Sequence, residues 1–78
     1  MSKLRQDISI GKNLKTLRKQ NKLTQEQVAT KLQLLGYDIT RSLYSRYETG
    51  ELNINISHLI ALKQIFNCEY ADFFENLE

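Results

Sequence analysis

The sequence predicts an all-α fold, five short helices in one domain, and three observations predict it. Proline is absent and glycine occurs only three times, which suits short helices and tight turns better than a sheet. Apolar residues recur at three- and four-residue spacing, the period of a helix with one buried face. Threonines, asparagines and glycines stand where such helices should start and stop. The 78 residues suffice for one domain with one modest hydrophobic core, expected over about residues 8–76.

Ile10, Leu14 and Leu17 mark the first helix, from about Ile8 to Gln20. Lys12, Lys15, Arg18 and Lys19 occupy its other faces, and Asn21-Lys22 is its exit. Thr24 is a good N-cap for the second helix, and Gln27, three residues on, completes a capping-box pattern. Val28, Leu32 and Leu35 form the apolar stripe of that helix, and Gly36 can take the left-handed conformation that stops it. Tyr37-Asp38-Ile39 reads as a turn with Ile39 dipping into the core. Thr40 caps a third helix, Arg41 to Thr49, which ends at Gly50. After a connector at Leu52, Asn53 and Ile54, Asn55 caps a fourth helix. Ile56, Leu59, Leu62 and Phe66 share one of its faces, and Asn67 is a left-handed terminator. Tyr70, Phe73, Phe74 and Leu77 predict a short fifth helix over Glu69 to Asn76.

Charge is unevenly distributed. Residues 1–50 carry ten basic side chains against four acidic, net +6; residues 51–78 carry Lys63 against five acidic, net −4. One half can face a polyanion while the other faces away, or these charges are simply solvated helix faces. No apolar run approaches the roughly 20 residues that span a bilayer, and no secretory signal is evident, so a cytoplasmic protein with no membrane partner is expected. The single cysteine, Cys68, cannot make an internal disulfide and reads as a core residue. His58 is the only histidine and has no acid or nucleophile pattern near it. Neither a phosphate-binding glycine loop nor metal-ligand spacing is present. The reading is therefore no enzyme, no cofactor and no metal.

Two short helices joined by a turn, with the small Ala29 inside the first, suit a close helix crossing that presents the second helix to a DNA major groove. Arg18, the run Leu23-Thr24-Gln25-Glu26-Gln27-Val28-Ala29, and the run Tyr44-Ser45-Arg46-Tyr47-Glu48-Thr49-Gly50 resemble the Cro and phage-repressor type of helix-turn-helix protein, also called the XRE family. The resemblance extends from about Ile8 to Phe74 and implies a compact five-helix, lambda-repressor-like domain. It also implies roles. Arg41, Ser42, Leu43 and Arg46 match positions that meet base edges, and an arginine can pair bidentately with guanine. Thr24, Gln25, Thr40 and Tyr44 are expected at phosphates. The tyrosines Tyr44 and Tyr47 replace usually aliphatic residues, so their rings should pack inward with the hydroxyls at the edge. Glu48, an odd residue for a DNA-facing helix, is implied to pair with Arg18 as a structural ion pair.

The sequence departs from the family pattern in places. The family usually has Gly four residues after the alanine of the second helix, where this chain has Gln33, and the segment up to the third helix is longer here. The extended turn, Tyr37 to Thr40, either touches the DNA backbone or only shifts the start of the third helix. Lys63 replaces a common alanine, so that face of the fourth helix should be open to solvent. The expected function is sequence-specific binding of double-stranded DNA as a transcriptional repressor. A homodimer on an inverted repeat would place reading helices about 34 Å apart. The tail residues Tyr70, Phe73, Phe74 and Leu77 form the dimer surface or close the monomer core; both readings stand. The alternative function is an antitoxin or adaptor acting mainly through a regulatory protein partner.

Overall fold

Side-chain caps and left-handed residues cut the chain into helices. The computed structural model describes residues 9–77. Helix α1 spans Gly11–Gln20, α2 Gln25–Leu34, α3 Arg41–Thr49, α4 Ile56–Phe66 and α5 Tyr70–Phe73. Thr24 Oγ1 accepts from the Gln27 amide at 3.0 Å while Gln27 Oε1 accepts from the Thr24 amide at 2.8 Å, a reciprocal box that satisfies two amides otherwise open at the start of α2. Thr40 Oγ1 takes the Leu43 amide and Asn55 Oδ1 the His58 amide in the same way. Gly36, Gly50 and Asn67 adopt positive φ after α2, α3 and α4.

Helix α1 starts later than the periodicity suggests. Ser9 Oγ accepts from the Gly11 amide at 2.9 Å and fixes the start; Ile8 lies outside the described residues. The exit turns at Lys22, which adopts φ 59, and the Leu23 amide returns to the Arg18 carbonyl.

Helix α3 packs on α1 and α2, α2 also meets α4, and α5 docks on α1. Leu14, Leu17, Val28, Leu32, Ile39, Tyr44, Leu62, Phe66 and Phe73 are buried between them. Two expected core residues are not there. Leu35 follows the last residue of α2, where the helical phase ends, and stands half-exposed. Ile56, in the first turn of α4, is 69% exposed; His58 and Ala61 join Leu59, Leu62 and Phe66 on the buried side instead.

The tail divides. Phe73 is fully buried and closes the core, while Tyr70 and Phe74 stay partly exposed. Helix α5 is a single turn, shorter than the expected Glu69–Asn76, because α1 takes over its end: Asn13 Nδ2 donates to the carbonyls of Phe73 at 2.8 Å and Glu75 at 2.9 Å. Asn21 does the same for α1 and α4, donating to the Leu17 and Phe66 carbonyls. Lys63 is less open than expected, since its ammonium lies 5.3 Å from the centre of the Tyr70 ring. No helix among the described residues is long and apolar enough to cross a membrane.

Candidate nucleic-acid interface

Helix α3 has two contrasting sides. Arg41, Ser42 and Arg46 are exposed, whereas Tyr44 and Tyr47 are buried. Leu43 is half-buried, with its inner part against the core. The buried side of α3 is held by a network centred on Glu48. Its Oε2 accepts from Arg18 Nε at 2.7 Å and from the Tyr44 hydroxyl at 2.7 Å. Its Oε1 accepts from Arg18 Nη2 at 3.1 Å and from Gln25 Nε2 at 3.0 Å. Arg18 Nη1 donates further to the Leu23 carbonyl, so one guanidinium ties α1, the loop before α2, and α3. Among the described residues no buried side-chain nitrogen or oxygen lacks a partner.

Electrostatics follow from this wiring. Burial by itself would raise the Glu48 carboxyl, but hydrogen bonds from Arg18, Tyr44 and Gln25 outweigh it and hold the group below its ordinary value. Arg18 is raised by the same bond to Glu48. Tyr44 is pushed far up, first by burial and then by its bond to the carboxylate, so its hydroxyl keeps its proton and donates.

Tyr44 therefore cannot meet a phosphate. The side chain has no exposed surface, and its hydroxyl is spent inside on Glu48. The expectation of hydroxyls at the edge fails for Tyr47 too: its hydroxyl is 2.7 Å from His58 Nδ1 in a buried contact. Burial lowers the His58 imidazole, and Tyr37 from the extended turn sets its ring edge-on against it at 5.2 Å. The turn is tied again by Gln33 Nε2, which donates to the Ile39 carbonyl at 2.7 Å, with Ile39 in the core.

Gln25 is engaged at both ends of its amide. Besides its bond to Glu48, its Oε1 accepts from Arg41 Nη1 at 3.2 Å. That leaves one Nε2 hydrogen with which Gln25 can meet a phosphate. Thr24 and Thr40 use their oxygens as caps, which leaves each hydroxyl proton to donate outward. Arg46 is loosely held, with Nε 3.7 Å from Glu51 Oε1.

Sequence reasoning missed Gly11. A Cβ there would overlap the Glu48 backbone carbonyl and crowd that of Tyr47, so only glycine lets the start of α1 meet the end of α3. The available signal was a glycine inside a helical pattern, where alanine is ordinarily preferred.

An all-α molecule with a capped helix pair at its centre and an exposed, cationic outer side on the second helix is a helix-turn-helix protein. A helix-turn-helix family profile matches residues 14–73. The chain belongs to this Cro/repressor-type, or XRE-type, family of DNA-binding regulators. It is 40% identical over 63 residues to Antitoxin PezA of Streptococcus pneumoniae serotype 4 (strain ATCC BAA-334 / TIGR4). The match covers 81% of this chain and 37% of that relative, so the chain spans little more than a third of the relative's length. No solved structure matches the chain significantly.

Proposed function

We propose that this chain binds duplex DNA sequence-specifically and represses transcription by occupying an operator. One observation carries the reading: Arg41, Ser42 and Arg46 are exposed on a helix whose opposite side is fixed by a buried ion pair. A major groove admits such a helix, and a base-reading side chain works best on a rigid backbone. Arg41, Ser42, Arg46 and the outer part of Leu43 meet base edges. The hydroxyls of Thr24 and Thr40 and the remaining Gln25 amide hydrogen donate to phosphates. One module makes few base contacts, so two copies bind an inverted repeat, with half-sites one helical turn apart. The outer side of the tail, where Tyr70 and Phe74 are still exposed, faces the second copy.

A gel shift on the inverted repeat upstream of its own or a neighbouring gene tests this. The wild type shifts the duplex, and the Arg41→Ala/Arg46→Ala double variant loses the specific shift while staying folded. An equal shift by both proteins would refute the assigned reading face.

The identity to Antitoxin PezA favours a second reading, an antitoxin acting through a protein partner. That reading requires a stable complex with a neighbour-encoded protein; action purely through that partner also predicts no shift even at low salt.

A further inference from the structure

Tyr44 touches no surface, yet it stands at the inner end of an unbroken chain of hydrogen bonds to Arg41. Its hydroxyl donates to Glu48 Oε2 at 2.7 Å; Glu48 Oε1 receives Gln25 Nε2 at 3.0 Å; Gln25 Oε1 receives Arg41 Nη1 at 3.2 Å. We infer that Tyr44 is a positioning residue for base reading, setting the direction of the Arg41 guanidinium through Glu48 and Gln25. The effect on DNA rests on the proposed function; the relay within the protein does not.

The order of the bonds gives the relay its sense. A carboxylate only accepts and a guanidinium only donates. A glutamine between them has one productive orientation, with its nitrogen toward Glu48 and its oxygen toward Arg41. The carboxylate is itself fixed by donors from three helices: Arg18 on α1, Gln25 on α2 and Tyr44 on α3. Removing the Tyr44 hydroxyl leaves Oε2 with the Arg18 Nε bond and one buried lone pair unfilled, a cost that favours any donor able to turn toward it. Arg18 is already committed to Glu48 and Leu23, so the adaptable donor is the Gln25 amide. Turning that amide breaks its bond to Arg41.

The experiment compares Tyr44→Phe, Gln25→Met and the double variant by competition among duplexes that differ from the wild-type selected site at single base pairs. A residue that merely supports the fold weakens binding at all positions alike, whereas loss of a positioned arginine relaxes one position. Tyr44→Phe is expected to reduce discrimination at the Arg41 base pair by roughly five- to ten-fold, within the range of one arginine–guanine pair. Its non-specific affinity falls by no more than the single Gln25–phosphate contact supplies, and by the same factor on every duplex, so discrimination is the readout that isolates Arg41. Adding Tyr44→Phe to Gln25→Met changes discrimination no further. Unchanged discrimination, an equal loss at every position, or an additive double variant overturns the relay.

Nuclear magnetic resonance of the free protein separates this outcome from failure of the DNA reading. Tyr44→Phe should shift the Gln25 side-chain amide protons and increase motion of the Arg41 guanidinium. Gln25→Met, a substitution at a half-buried position, should increase that motion too. If the wild type selects no duplex sequence, the DNA reading falls and these signals alone decide the relay. Unchanged Gln25 and Arg41 signals overturn it.

Discussion

Glu48 and Glu51 lie three residues apart, and each has an arginine beside it. Arg18 reaches Glu48 at 2.7 Å with side chains 10% and 4% exposed; Arg46 stands 3.7 Å from Glu51 with side chains 52% and 62% exposed. The first pair joins α1 to α3 and carries hydrogen bonds from Tyr44 and Gln25. The second joins a helix to its own exit and is longer than a hydrogen bond. Burial separates the two. A desolvated charge must be completely satisfied, whereas water can replace a partner lost at the surface. The same pairing thus builds a fixed inner side and leaves an available outer side.

Removing Arg18 strikes the buried pair and carries the largest expected effect. Arg18→Ala leaves the Glu48 charge enclosed, at a cost of about 3–5 kcal/mol. In a domain this size that lowers the melting temperature by more than about 12 °C; an unchanged melting curve would show that the pair is dispensable. Gly11→Ala disturbs the same junction from its backbone side. The added Cβ meets the carbonyls of Glu48 and Tyr47, so overpacking of about 1–3 kcal/mol opposes alanine's helix advantage of up to about 1 kcal/mol. Urea denaturation should show net destabilisation, and a stabilised variant would mean that α1 and α3 can separate at no cost.

Acid provides a third test. The folded Glu48 carboxyl lies below its usual 4.5, so its contribution is fully present above that pH and is lost as pH falls through the folded value. Glu48→Gln should be weaker at neutral pH and should have a flatter stability profile below pH about 4.5. Parallel acid profiles for the two proteins would contradict the assignment. The smallest change belongs to the exposed pair: Glu51→Gln should shift stability by less than about 0.5 kcal/mol. A larger loss in thermal unfolding would place Glu51 with Glu48 instead of apart from it.

The helix ends marked by a side-chain cap or a left-handed residue were legible because those signals are local; the start of α1 and the end of α5, whose cap residues give no such signal, were not. Thr24 with Gln27, Thr40, Asn55 and Asn67 each act on backbone within a few residues, and each acts as read. Outward and inward faces were less legible. Ile56 and Leu35 are apolar and near the right phase, but which side of a helix is covered depends on neighbours distant in sequence. The site was legible in part. A resemblance could suggest Arg18 beside Glu48, but the inward hydroxyl of Tyr44 depends on three helices meeting at one carboxylate. Lys22 gave no warning of its left-handed backbone, which glycine or asparagine would have signalled.

The turn between α2 and α3 is long but already anchored, with Ile39 in the core, its carbonyl held by Gln33, and Tyr37 against His58. A segment fixed before its partner arrives has little disorder left to lose. On the proposed function, any contact the turn makes with DNA should therefore be docking of a preformed surface, with a small heat-capacity change instead of the large one that accompanies folding on contact. The extra residues lengthen the path between the two helices without making it slack.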